Sequence, residues 1–328
     1  MTADRPLRED VQHLASQPRH RDVPGSLESA RDYCAQELTS AGWNVTEQRF
    51  TVPNRLRIPD IGKPGGVLPM RMSGRIDGVN LIARPRGHDR MQAGGTLVLA
   101  HLDTVRLSAG ADDNASGVAV ALQLARLLSQ ARDDVTIVLV DLEELSQLGS
   151  RHLAATTPRP ARVICLESVG YFDEEPHSQR LPAGFSLLFP DLTRTIRERE
   201  GRGDFLAAVH RGDTVSFLDA WTAAARQDGL DILGLHDRRW NGPGQRFTRW
   251  ANPLLMDLDR SDHAPFWRAQ VPSILITGTA PMRNARYHRV DDTPDTLDYN
   301  RMSALAQSLA HVLATHEPAA TPRTWDAP

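Results

Sequence analysis

Thr96-Leu97-Val98-Leu99-Ala100-His101-Leu102-Asp103 runs apolar for its first half and ends on an imidazole with a carboxylate two residues beyond it. A continuous apolar run of this length fits a strand buried on both faces, because a strand with one wet face alternates. Val135 to Leu142 repeats the pattern and leads into Glu143-Glu144, and Arg162 to Leu166 leads into Glu167. Val271 to Thr277 is a further run, followed by the loop that holds His288. Ser116 to Leu128, between the first two, has the apolar spacing of an amphipathic helix. Strands alternating with helices predict an α/β fold, a three-layer sandwich whose central, mostly parallel twisted sheet is flanked by helices. Such sheets take ligands in the crevice at the carboxyl ends of their strands. The polar residues that close these runs all fall at that edge.

Outward from this core, Leu27 to Ala41 reads as a helix that stops at Gly42, where a left-handed cap is easiest. Trp43 to Val52 and residues 78–84 read as neighbouring strands. Residues 53–72, rich in Pro and Gly, read as a surface excursion. Residues 191–257 look less regular: a helix near Val215 to Arg226, then a loop rich in Trp, Gly and Arg around Trp240 to Trp250, together overhanging the sheet edge. Tyr299 to Leu313 is a closing helix, and residues 317–328 form a tail expected to be disordered. With no internal repeat or interdomain linker, residues 1–316 are expected to form a single domain.

The chain has 328 residues, 40% of them apolar, enough for a large core. A formal charge of −3 supplies no basic field, which argues against nucleic acid or an anionic membrane as a partner. No run approaches the roughly 20 apolar residues of a membrane span, and Met1 to Asp22 lacks the apolar core of a secretory signal, so a cytoplasmic location is expected. Cys34 and Cys165 read as reduced, buried packing residues. Lys63 is the one lysine among many arginines, which codon bias explains.

The polar edge residues have the chemistry of a metal site. His101 can ligate a cation while Asp103, two residues on, takes the other ring proton. Gly110 to Gly117 is a tight acidic turn running into a helix. A carboxylate there can bridge two cations with its two oxygens. Asp113 is the preferred bridge and Asp112 the alternative. Glu144 supplies a ligand and its neighbour Glu143 a proton-transfer group, while Glu167 and His288 complete two coordination sets. A lone His-x-Asp or Glu-Glu pair is usually a solvated surface feature; five such pieces in order at one sheet edge are not. Two imidazoles among carboxylates favour zinc, although cobalt or manganese can occupy such sites.

Several stretches together resemble metallopeptidase family twenty-eight, whose members include bacterial zinc aminopeptidases and the glutaminyl cyclases. They are Ala100 to Asp103, Gly110 to Gly117, Glu143-Glu144 with Gly149-Ser150, Cys165 to Tyr171, Ser261 to Phe266, and Tyr287-His288 with Asp291 to Asp295. The resemblance runs from about Leu27 to Leu313. It implies a zinc-aminopeptidase-like fold and two zinc ions per chain, one held by His101, Asp113 and Glu167, the other by Asp113, Glu144 and His288. It further implies Glu143 as general base and Tyr287 as donor to the developing oxyanion. Asp262 and His263 read equally as supports of the site or as ordinary turn and helix-cap residues. Glu167 stands where many members have aspartate, Ser146 where glycine is common after the glutamate pair, and Ser168 where methionine is common.

The expected activity is that of an aminopeptidase or related amidohydrolase acting on a small peptide or aminoacyl amide. The alternatives are cyclase-like acyl transfer, which in that family uses one zinc, a dedicated biosynthetic peptidase, or a binding protein that has lost catalysis. Oligomeric state is open. Trp221, Trp240 and Trp250 could line a pocket, with core packing preferred for Trp221. Arg238, Arg239, Arg246 and Arg249 could meet a substrate carboxylate, with a solvated face preferred for most. His177 and His210 are expected at the surface or hydrogen-bonded in the core, and Arg202-Gly203-Asp204 is read as a chance triplet.

Overall fold

Each apolar run of the sequence is a strand in the computed structural model, which describes residues 4–53, 55–57, 71–88, 91, 93–128, 133–239 and 258–316. The strands are β1 (Asn44–Val52), β2 (Arg55–Arg57), β3 (Arg71–Ser73), β4 (Ile76–Arg84), β5 (Thr96–His101), β6 (Val135–Val140), β7 (Arg162–Glu167), β8 (Leu206–His210), β9 (Ile232–His236) and β10 (Ser273–Thr277). Among the described residues an eight-stranded sheet runs in the order β1-β4-β6-β5-β7-β10-β8-β9, and β2 pairs with β3 separately. Its centre, β6-β5-β7-β10, is parallel. β4 is antiparallel to β6 and to β1, and β8 is antiparallel to β10 and parallel to β9. The parallel block is therefore where the sequence places it, and the edges are mixed.

Every residue of β5 and β6 is buried, and alternate residues face different layers. Val98 and Ala100 belong to a core shared with α1 (Asp4–Leu14), α2 (Ser26–Ser40), α3 (Gly117–Leu128), α7 (Val215–Gln227) and, beyond the short α9 (Ala280–Arg283), α10 (Tyr299–Thr315). Leu97 and Leu99 face the other way, against Leu153 of α4 (Leu148–Thr156) and Phe266 of α8 (His263–Arg268). Both faces are thus covered, which is why these strands carry no alternation. Burying a side chain such as Leu99 stabilises the fold by about 1.5–3 kcal/mol. Gly42 ends α2 with φ 95°, a left-handed conformation a side chain would resist. At the start of α10, the Asp298 side chain accepts the Arg301 N–H.

Residues 191–239 differ from the irregular overhang expected of them. After α5 (Phe185–Leu188) and α6 (Pro190–Glu198), β8 and β9 extend the sheet and α7 joins the main core. Their strands are five residues each, too short for their alternation to stand out in sequence. Trp221 is fully buried, its indole N–H donating to Ser308 Oγ, so it packs the core. Trp240, Trp250, Arg246, Arg249, most of the 53–72 excursion and the 317–328 tail lie outside the described residues. Cys34 and Cys165 are both free and buried. Among the described residues no helix is long and apolar enough to cross a membrane.

Candidate metal centre

The ends of β5, β6 and β7 carry the donors to one place. His101 is the last residue of β5 and is buried. Its Nδ1 lies 3.0 Å from the backbone carbonyl oxygen of Asp103, which fixes the ring with Nε2 facing inward. Nε2 lies 3.1 Å from Asp113 Oδ1 and 3.3 Å from Glu167 Oε1. On the other side of the same aspartate, His288 Nε2 lies 2.9 Å from Asp113 Oδ2 and 3.3 Å from Glu144 Oε1. His101, Asp113 and Glu167 form one possible donor set; Asp113, Glu144 and His288 form a second, with the atoms of each within 4.8 Å of one another. Asp113 is shared, one oxygen per set.

These atoms suit a cation better than each other. Asp113 Oδ1 and Oδ2, Glu144 Oε1 and His288 Nε2 are buried without a hydrogen-bond partner. Buried polar atoms are otherwise almost always satisfied. Zinc–nitrogen and zinc–oxygen bonds of about 2.0–2.1 Å at tetrahedral angles put neighbouring donors roughly 3.3 Å apart, close to the spacings here. Burial works against charge on His101, but the carboxylates around it outweigh that and hold its pKa well above the usual imidazole range. For His288 burial is likewise outweighed, by Glu144 and Asp113, and the pKa is raised to about 11. Burial raises Glu144 to about 7, with Asp113 adding to the shift. Carboxylates that hold a proton on these imidazoles so firmly would also hold a cation in its place.

Buried groups fix the loops through their backbones. The Asp103 carboxylate does not take the His101 ring proton as the sequence reading expects, its Oδ1 being 3.7 Å from Nδ1. It accepts the backbone N–H groups of Glu143 (2.9 Å) and Glu144 (3.2 Å), so it holds the glutamate pair. Asp292 does the same for the acidic turn, accepting from the Asp112 and Asp113 amides at 2.9 and 3.2 Å. Asp112 faces away from the donors and accepts from the Gly170 and Tyr171 amides and from Asn284, which removes it as the bridge. Asn114 Oδ1 takes the amides of Gly117 and Ser168, and its Nδ2 donates to the Leu166 carbonyl. Asp141 accepts the Val79 and Leu142 amides. Arg19 and Asp141 lie outside the stretches that carry the resemblance, and within those stretches nothing singles out Asn114 or Asp292; only a pairing across the fold reveals what they hold.

Glu143 is half-buried beside the donors. Burial pushes its pKa well above the usual range; His101 opposes the shift, while Asp262, Glu167 and Glu144 reinforce it. Glu167, the residue in place of the commoner aspartate, has Oε2 engaged by the Ser261 hydroxyl at 2.7 Å, leaving Oε1 toward His101. Ser150 donates to Asp262, whose other oxygen is buried without a partner, and Asp262 does not cap α8. His263 is buried, its Nε2 2.8 Å from the Leu258 carbonyl oxygen. Leu142, Ser146, Ser168 and His288 have φ of 59°, 72°, 50° and 62°. Left-handed non-glycine residues gathered around a site are costly and typical of functional regions.

The Tyr287 ring stacks on that of His288, centroids 3.8 Å apart. Burial and the charges of Asp113, Glu144 and Glu167 raise its pKa well above the usual phenol range, so the phenol keeps its proton. From Tyr287 and Glu167 a cavity of about 350 Å³ extends between α5, α6, β8 and β9, walled by Phe185, Phe189, Leu192, Phe205, Leu233 and Met282 among others. Arg239 takes no part in it as a free cation, being paired with Asp237 and Asp259; Arg238 is exposed and so is His177, while His210 is buried and stacks on His236.

The model of peptidase family M28 matches residues 80–226. The Escherichia coli (strain K12) protein YfbL, described as uncharacterized, is 31% identical over 94% of this chain and 86% of its own length. The zinc aminopeptidase BSAP of Bacillus subtilis has a similar fold, with a TM-score of 0.66 over 94% of both chains at 15% identity. So does the glutaminyl cyclase of Porphyromonas gingivalis, with a TM-score of 0.59 over 95% of this chain and 97% of that one at 19% identity.

Proposed function

The chain belongs to peptidase family M28, and from that membership we propose that it is a zinc-dependent aminopeptidase or closely related amidohydrolase. It would release the first residue of a small peptide or aminoacyl amide. The observation that carries this reading is the pair of three-residue donor sets sharing Asp113, with Glu143 beside the ligand Glu144. His101, Asp113 and Glu167 would hold one zinc, and Asp113, Glu144 and His288 the other. Zinc held there would supply Lewis acidity, polarising a scissile carbonyl and lowering the pKa of water toward about 7.

Glu143 takes the proton of the attacking water and returns it to the departing amine as the C–N bond breaks. Asp103 serves that transfer indirectly, because it pins the Glu143 backbone and so the reach of the carboxylate. Tyr287, protonated and beside His288, donates to the oxygen that gains charge. The free amine of the substrate meets carboxylates, Glu167 and Glu143 among them, and its first side chain enters the apolar cavity. Two complete donor sets favour hydrolysis over cyclase-like acyl transfer.

The test is zinc content together with chromophore release from a panel of aminoacyl nitroanilides, for the parent and Glu143→Ala. About two zinc ions per chain, with turnover lost in the variant and zinc retained, is the expected result. Two bound zinc ions with no turnover of any panel member would redirect the reading to acyl transfer or one specialised substrate. A parent that binds no zinc would overturn it.

A further inference from the structure

Arg19 lies between α1 and α2, in a stretch whose sequence is polar and without motif, yet it is only 1% exposed. A buried guanidinium ordinarily pairs with a carboxylate. Here, among the described residues, its hydrogen bonds go to backbone carbonyls: Nε donates to Leu102 at 2.7 Å, Nη1 to Leu14 and to Ala109 at 2.7 Å each, and Nη2 to Gly110 at 2.9 Å. In return the Arg19 carbonyl accepts the Thr104 N–H at 3.0 Å. Leu102 adjoins His101, and Gly110 begins the turn that carries Asp113. The guanidinium therefore ties together the two ends of the loop joining the shared ligand to its neighbour on β5.

The junction has little slack. Gly110 has φ 62°, and a Cβ built on it would lie 2.2 Å from the Asp113 carbonyl oxygen and 3.1 Å from Arg19 Nη2. A shift of the guanidinium moves Gly110, and with it the backbone of Asp113. The charge is also well placed. Burial lowers the Arg19 pKa to about 10, which leaves it a cation at neutral pH, and Asp292, Asp113 and Asp103 are among the groups that oppose the shift.

We propose that Arg19 is a positioning residue for the metal centre: by bridging Leu102 to Ala109 and Gly110 it sets the span from His101 to Asp113, and so the affinity of both donor sets for zinc. The inference rests on the zinc reading above. Charge alone does not explain the arrangement, since a lysine would bring the same charge; the planar fork of arginine is what reaches several carbonyls at once.

The experiment is zinc affinity, measured by competition with a chromophoric chelator, for the parent, Arg19→Lys and Arg19→Met. Leu38→Ala, which empties core space under α2 away from the loop, serves as a variant destabilised for another reason. Thermal unfolding of the metal-free proteins is recorded in parallel. Zinc affinity is expected to fall about 10- to 100-fold in Arg19→Met, the size usual for groups that orient ligands. It should fall in Arg19→Lys as well, while Leu38→Ala loses stability and keeps its affinity. A folded Arg19→Met with parental affinity would overturn the inference. If Arg19→Met does not fold, Arg19→Lys decides: weakened zinc binding supports the role, and parental binding overturns it. A parent that takes up no zinc would instead sink the zinc reading, so the two failures are told apart.

Discussion

The candidate metal centre and the cavity beside it share Glu167, Ser168, Ser261 and Tyr287, yet they are held in place by different means. Around the donors, buried side chains grip backbone amides: Asp103 those of Glu143 and Glu144, Asp292 those of Asp112 and Asp113, Asp112 those of Gly170 and Tyr171. Around the cavity, Phe185, Phe189 and Leu192 are only partly buried and make apolar contacts. Cation binding and proton transfer depend steeply on position, so their groups are fixed through the main chain. Apolar contact is non-directional, so a wall of side chains suffices for recognition. Change on the first side should alter chemistry and metal; change on the second should alter substrate choice.

The largest effect that sharpens this contrast is expected at Glu143. Glu143→Ala should lower kcat by about 10²- to 10⁴-fold while zinc content stays at the parental level. Loss of zinc along with activity would show instead that Glu143 is part of the donor set.

Next comes Asp103→Asn, which keeps shape but cannot accept both the Glu143 and Glu144 amides as a carboxylate does. A loss of about 10- to 100-fold in activity or zinc affinity is expected. A variant with parental kinetics would break the argument that backbone grip positions the pair. A smaller effect, and of a different kind, belongs to the cavity. Leu233→Trp, on β9, should raise KM for bulky apolar first residues by about 10-fold and leave kcat for an alanyl substrate alone. Equal losses on both substrates would mean that the wall also shapes the chemistry.

The smallest predicted change is in stability. Burial raises Asp262, Asp292 and Asp141 to about 7, well above an unfolded carboxyl near 3.9. A raised folded pKa contributes stability that is fully present below the unfolded value and lost as pH rises through the folded one. His288, also raised, acts in the same direction. The metal-free protein should therefore melt a few degrees lower at pH 8 than at pH 5.5. Zinc would compete with protons for His288 and Glu144, so its stabilising shift in Tm should be larger at pH 8. A metal-free Tm that rises with pH over this range would contradict the assigned directions.

The sequence by itself determined the parallel centre of the sheet, because β5, β6, β7 and β10 are apolar runs whose ends must meet one edge. The same logic picked out His101, Asp113, Glu144, Glu167 and His288 as candidate donors, since metal chemistry restricts donors to a few residue types, and the structure brings these five side chains together at that edge. Tertiary structure decided what local pattern does not encode. It made β8 and β9 part of the sheet where the sequence suggested an irregular overhang, since five-residue strands are too brief for a period to declare itself. It gave the Asp103 carboxylate to two amides across the fold and the His101 ring to a carbonyl, a choice fixed by distance and not by spacing in the chain. It also turned Arg19 and Asp292 inward. Backbone amides and carbonyls are the same at every residue, so a side chain that will bind them leaves no mark in the sequence until the fold brings them together.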